Sequence, residues 1–167
     1  ILACLAGVWL ASCQSPDVQT RLDAIDSLTQ ELLAAEKAFA VIDSVPIIEM
    51  SIISRKDLAY IQNYYSDTSS HPVDSIGLPT MLMISDHRSV MKSSSKWLEE
   101  FRVRKAEFGR RQANLNDLAH DVENEVISDS LYQTGYNSEA KAVNHQVEAT
   151  PRLKEWSERV TRRYEHK

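Results

Sequence analysis

The side chains with chemical potential are few and scattered. Asp86 stands beside His87, and Asp117, His120 and Glu123 recur three positions apart, a spacing that puts carboxylate and imidazole on one helical face. Such a face suits a transition-metal ion held between helices. Bundles that bind two irons need paired Glu-x-x-His motifs and two further glutamates, and the chain contains no Glu-x-x-His. His87 and His120 are also 33 positions apart, too far along one helix to share an ion. Each reads as a solvated polar residue, and neither a metal nor a cofactor is expected. The run Ser93-Ser94-Ser95 lacks the Gly-x-Ser-x-Gly elbow that exposes a nucleophile, and no glycine-rich loop is present to cradle a phosphate. These residues point to a non-enzymatic protein.

Charge is the next resource. The net charge is −5, unevenly distributed: residues 17–87 hold four Lys or Arg against eleven acids, residues 88–111 eight against three, residues 112–148 one against seven, and residues 149–167 six against three. If the two basic stretches lie side by side, they form a belt of Arg88, Lys92, Lys96, Arg102, Arg104, Lys105, Arg110 and Arg111 with Arg152, Lys154, Arg159, Arg162 and Arg163. Arg102, Arg104, Lys105, Arg110, Arg111, Arg159, Arg162 and Arg163 are the candidates for contact with an anion or an acidic partner. The competing reading is ordinary: Glu36, Asp43, Glu49 and Asp57 on the first helical arm neutralise the belt. An acidic net charge argues against a nucleic-acid partner.

The first thirteen residues carry the most specific signal. Ile1 to Ser12 contain no charge, and polar Gln14, Ser15 and Asp17 follow Cys13 closely. The apolar run is too short to span a bilayer, which takes about 20 residues. Leu10-Ala11-Ser12-Cys13 resembles the lipobox of bacterial lipoprotein signal peptides. That resemblance implies cleavage before Cys13, a diacylglycerol on its sulfur and a fatty acyl chain such as palmitate on the new amino terminus. Two or three acyl chains give a lasting attachment where one gives a marginal one. Gln14 in place of an aspartate implies an outer-membrane lipoprotein facing the periplasm. The expected organisation is a signal peptide over 1–12 whose basic start is missing, as in a truncated gene model, a lipidated tether over 13–16, and one helical domain over 17–167. The bland alternative makes residues 1–12 a buried helix with Cys13 a core thiol. With Cys4 removed, the mature chain has a single cysteine and no internal disulfide, so packing must stabilise it.

The elements that position these residues are helical. Glycine (4) and proline (5) are too scarce for the many turns of a β fold. Val18, Leu22, Ile25, Leu28, Leu32, Ala35, Phe39 and Ile42 alternate by threes and fours along one helix face. Pro46 predicts a kink or break near 43–46. A helix resumes over 47–65, loop chemistry surrounds 66–72 and 77–79, and a proline-free helix runs from about 80 to 127 with Phe101, Phe108, Leu115 and Val122 at seven-residue spacing. Gly109 and several cations weaken its middle. Ser128-Asp129-Ser130 marks the next turn, and Pro151 predicts a kink in the last helix.

These features predict an all-α fold: an elongated, antiparallel, coiled-coil-like bundle of three long, proline-kinked helices, with a compact four-helix bundle as the alternative. Hairpin geometry places Pro46 level with about residue 100 and Pro151 level with about residue 107, both facing one bent zone, with Trp97 and Trp156 in one aromatic layer. The expected function is that of a non-catalytic cell-envelope lipoprotein, a helical spacer or accessory subunit that binds another envelope protein. The alternative is a lipoprotein that holds a small anionic or lipid ligand between its helices, near Arg104 or Arg111.

Overall fold

A computed structural model describes residues 16–66 and 77–165 of the 167-residue chain, and all the helices below lie within them. The stripe that begins at Val18 becomes α1, Pro16–Ala40. Pro16 opens the helix at the position where a missing N–H leaves no bond unmade, and Asp17 places a carboxylate among the free N–H groups of the first turn. Val18, Ile25, Leu28, Leu32, Ala35 and Phe39 are all buried, and Ile42 continues the row just past the helix end.

Residues 41–44 interrupt the helix. The Asp43 carboxylate accepts a hydrogen bond from the Val45 N–H at 2.9 Å and so caps α2, Val45–Ser66. Pro46 therefore opens α2 in its first turn, where proline is tolerated, and the break precedes it. Gly77, with extended backbone, precedes α3, Leu78–Glu123, a single helix of 46 residues and about 69 Å at about 1.5 Å per residue. The helix α4, Asp129–Glu165, runs through Pro151 without interruption.

The all-α class holds, but the count of three helices does not: four are present, as in the alternative architecture. The correction comes from residues 41–44, where the Asp43 cap and the Ser44 carbonyl, which accepts from Ile48 N, start a new helix rather than bend an old one. α1 and α2 barely touch one another; both pack on α3, and α1 and α3 pack on α4. Phe39 of α1 meets Phe101 and Phe108 of α3, while Asp57 and Tyr65 of α2 meet His87 and Thr80 of α3. Both helices thus run antiparallel to α3 in one common register, end to end along it. α4 also runs antiparallel to α3, through Arg111 with Glu139, Arg104 with His145 and Trp97 with Leu153.

That register places Pro46 near residue 98 of α3, as hairpin geometry anticipates. Pro151 lies near residue 99, not 107, because α3 ends five residues before Ser128. Glu125 adopts a left-handed conformation (φ 55°), its N–H bonds the Val122 carbonyl, and the Val126 N–H returns to the Asp121 carbonyl. This wrapped end normally carries glycine. A glutamate there is silent to any search for turn residues, and the hairpin closes early.

At the level of the two prolines, four rings lie in a continuous stack. Phe39 and Phe101 are 4.6 Å apart, Phe101 and Trp97 5.0 Å, and Trp97 and Trp156 5.9 Å, with interplanar angles of 22°, 18° and 16°. The Trp97 indole donates to the Leu153 carbonyl at 3.1 Å, two residues beyond Pro151. At the other end of the bundle Arg21 donates to Asp129 at 2.8 Å and covers the Tyr132 ring.

Two substitutions follow from this backbone. A methyl group at Gly109 meets no atom within 4 Å, so Gly109→Ala stabilises the protein by about 0.5–1 kcal/mol through helix propensity alone. Glu125→Gly relieves a left-handed side-chain clash and stabilises by about 1 kcal/mol. Thermal melts followed by circular dichroism, where each kcal/mol corresponds to about 2–4 °C in a chain of this size, check both.

Candidate functional site

The register sets residues 152–162 of α4 level with about residues 88–98 of α3, so the two basic stretches overlap in part. Three of the cations singled out above pair closely along their own helices with carboxylates three or four positions away, Arg102 with Glu99, Arg110 with Glu107 and Arg159 with Glu155, while Arg152 approaches Glu148 only at 3.6 Å and Lys154 approaches Glu158 at 4.0 Å. The i,i+4 geometry of a helix is sufficient to produce these pairs, each worth about 0.3–0.5 kcal/mol at an exposed site. No ion pair links these cations to Glu36, Asp43 or Glu49 of the first arm among the described side chains. Lys105 lies exposed beside Phe39, Phe101 and Glu36, and Arg162 lines a separate depression with Pro46 and Asp43. The Arg163 side chain and Cys13 lie outside the described residues.

Arg111 belongs to a structural cluster. It donates to Glu107 at 3.0 Å and to both oxygens of the buried Glu139 at 3.3 and 3.4 Å, and Asn114 donates to Glu139 at 2.8 Å. A buried carboxylate is tolerated only when its oxygens are occupied in this way. Arg110 closes on Glu107 from the solvent side. Its hydrogen bond, more than that of Arg111, holds the Glu107 carboxyl below the usual range, while burial works against it.

Arg104 stands apart. Its side chain is only 15% exposed, and it lies in a groove between α3 and α4 whose volume is about 340 Å³. One face of α3 presents Lys96, Trp97, Glu100 and Arg104 to this groove, and one face of α4 presents His145, Arg152, Leu153 and Trp156. The guanidinium donates to Nε2 of His145 at 2.7 Å and approaches Glu100 at 3.7 Å, but its Nε is buried and has no hydrogen-bond partner. Lys96 makes no ion pair among the described residues.

Of the eight cations named as candidates, then, Arg104 lines a groove with two other cations, Lys96 and Arg152, whereas Arg162 shares a depression with Lys154 and Arg111 one with Lys141. Lys96 and Arg152 had been placed in the belt but not among those candidates. His145, Trp97 and Trp156 as lining residues were not foreseen. Their signal was available as helix-face spacing: 93, 96, 97, 100 and 104 on one helix and 145, 149, 152, 153 and 156 on the other. It becomes visible only once the correct register aligns the two rows.

No group of three His, Cys, Asp or Glu side chains converges as a metal site would require among the described residues. His87 approaches Asp57 at 3.9 Å, and the His120 ring pairs with Asn124. Among the same residues, no helix is long and apolar enough to cross a membrane.

The Glu107 carboxyl has a definite consequence for stability. Its folded value is depressed, so its contribution is fully present above the ordinary glutamate value of 4.5 and is lost as pH falls below that. Denaturant midpoints of the native chain and Glu107→Gln, measured from neutral to strongly acidic pH, should therefore differ by a constant amount down to about pH 4.5 and then converge. Comparison of the chain with protein-family models, with curated proteins and with solved structures finds no match.

Proposed function

We propose that the chain is a non-catalytic envelope lipoprotein, anchored through lipids on Cys13, whose bundle acts as a spacer and offers an interaction surface to another envelope protein. One observation carries the reading: among the described residues, an exposed apolar surface lies at the end of the bundle remote from Pro16. In the register above, Glu165 of α4 lies level with about residue 85 of α3, so α2 and the start of α3 continue as a two-helix pair. Two helices cannot cover each other fully. Tyr60 is 71% exposed, Leu78 69%, Leu82 61% and Met81 59%, with Tyr64 also open. Contiguous exposed apolar side chains mark contact surfaces, whereas isolated ones are ordinary.

The geometry gives this surface a place. Pro16 is three residues from Cys13, and α1 begins at the end where α3 passes into α4. An anchor there holds that end at the membrane, and α3 carries the apolar pair up to about 69 Å from it. The lipid supplies attachment and the bundle supplies reach. Gln14 after the cysteine supports an outer-membrane position facing the periplasm.

Two measurements test the reading. Intact-mass analysis of the protein from cells is expected to find a chain that begins at Cys13 and carries diacylglycerol and an acyl group; an unmodified thiol still joined to its upstream residues sinks the location. A carboxyl-terminal tag should recover a specific envelope protein from membranes, and the double substitution Tyr60→Asp, Leu82→Asp should abolish that recovery while leaving the helical content unchanged. Equal recovery by the native and doubly substituted chains removes the apolar pair from the interaction.

A further inference from the structure

The groove that holds Arg104 has the properties of a ligand site independent of the apolar end. Its volume, about 340 Å³, falls within the range of roughly 300–1,000 Å³ typical of small-molecule sites. Three cations line it, Lys96, Arg104 and Arg152, against the single carboxylate of Glu100. Arg152 is 77% exposed, and its bond to Glu148 is loose at 3.6 Å, which leaves it free to turn toward a bound anion.

Arg104 is the informative member. An arginine can only donate, so the 2.7 Å contact makes His145 the acceptor at Nε2; that bond satisfies one N–H without cancelling the charge. The buried Nε keeps a donor with no partner, and a buried unmet donor costs about 1–3 kcal/mol. Among the groove's lining residues the one carboxylate near the guanidinium is that of Glu100, at 3.7 Å, so an oxyanion bound at the groove side of Arg104 would add a second and closer negative charge.

The rest of the wall is flat and apolar. Trp97 is buried, its ring stacked between Phe101 and Trp156 and its N–H taken by the Leu153 carbonyl, so the partly exposed ring of Trp156 supplies the aromatic surface of the groove. Leu153 and Ala149 extend that surface. A bare inorganic ion would leave it uncovered, and a stacked ring would not.

We propose that this groove binds a soluble organic anion, a phosphate or carboxylate joined to a flat apolar group. The anion lies against Arg104, Lys96 and Arg152, and the group stacks on the open side of Trp156. A lipid headgroup offers the same phosphate, but the groove lies near residue 100 of α3, about 35 Å along the helix from its Glu123 end. A bilayer that holds Cys13 is then out of reach. The choice of a soluble ligand rests on the anchor proposed above, and the site itself does not.

Titration of the purified full chain with phenyl phosphate, followed by tryptophan fluorescence, tests the site. Saturation is expected at concentrations about tenfold or more below those needed for inorganic phosphate, and Arg104→Gln should weaken binding about tenfold or more. The pair Lys96→Gln, Arg152→Gln changes only exposed side chains, so it should weaken phenyl phosphate binding with the thermal midpoint unchanged, even if Arg104→Gln fails to fold. Absence of a saturable signal up to millimolar phenyl phosphate, or unaltered binding by the Lys96 and Arg152 pair, overturns the site. A response to phosphatidylglycerol vesicles but not to phenyl phosphate overturns the soluble ligand. An unacylated Cys13 would remove the distance argument alone and leave the titration result standing.

Discussion

The ring stack of Phe39, Phe101, Trp97 and Trp156 is the contact on which the rest of this bundle depends. It draws one residue from the end of α1, two from the middle of α3 and one from α4 just past Pro151. Aromatic pairs of this kind contribute about 0.5–1.5 kcal/mol each beyond the area they bury. Their main effect is to fix level. Once the rings are stacked, α3 cannot slide against either neighbour without unstacking them, and the break at residues 41–44 comes to lie level with Pro151 inside α4. The Trp97 N–H reaching the Leu153 carbonyl reinforces the same level.

The break lies where it is best supported. An interrupted helix needs caps and neighbours, since its end groups are unmet. Asp43 caps α2, the Ser157 hydroxyl of α4 donates to the Asp43 carbonyl, and the Phe39 ring covers the end of α1.

Charge follows a different logic. Carboxylates lie three or four positions from seven of the cations of α3 and α4, which find partners on their own helix. These local pairs leave the excess of cations over residues 88–111, eight against three, in place, and Lys96 in the Arg104 groove belongs to that excess. Likewise, apolar residues persist uncovered where α2 and α3 outrun α4.

Helix content, the buried face of α1 and the existence of one very long helix were all legible from residue order, because each depends on contacts three or four positions apart. Every stripe residue from Val18 to Ile42 is buried except Leu22, which is partly so. The break near Pro46 was legible for the same reason: proline acts on its immediate neighbours. The helix count, the level of Pro151 and the groove were not. They hinge on Asp43 accepting a bond from Val45 and on Glu125 turning left-handed in place of a glycine, conformations that residue type does not announce. Early closure of the α3–α4 hairpin moves α4 by about two turns relative to the long helix, and that shift sets His145 against Arg104, whereas the shared layer of Trp97 and Trp156 was already legible in the sequence. Periodicity determines which face of a helix is buried, whereas the loops and the packed rings determine what that face meets.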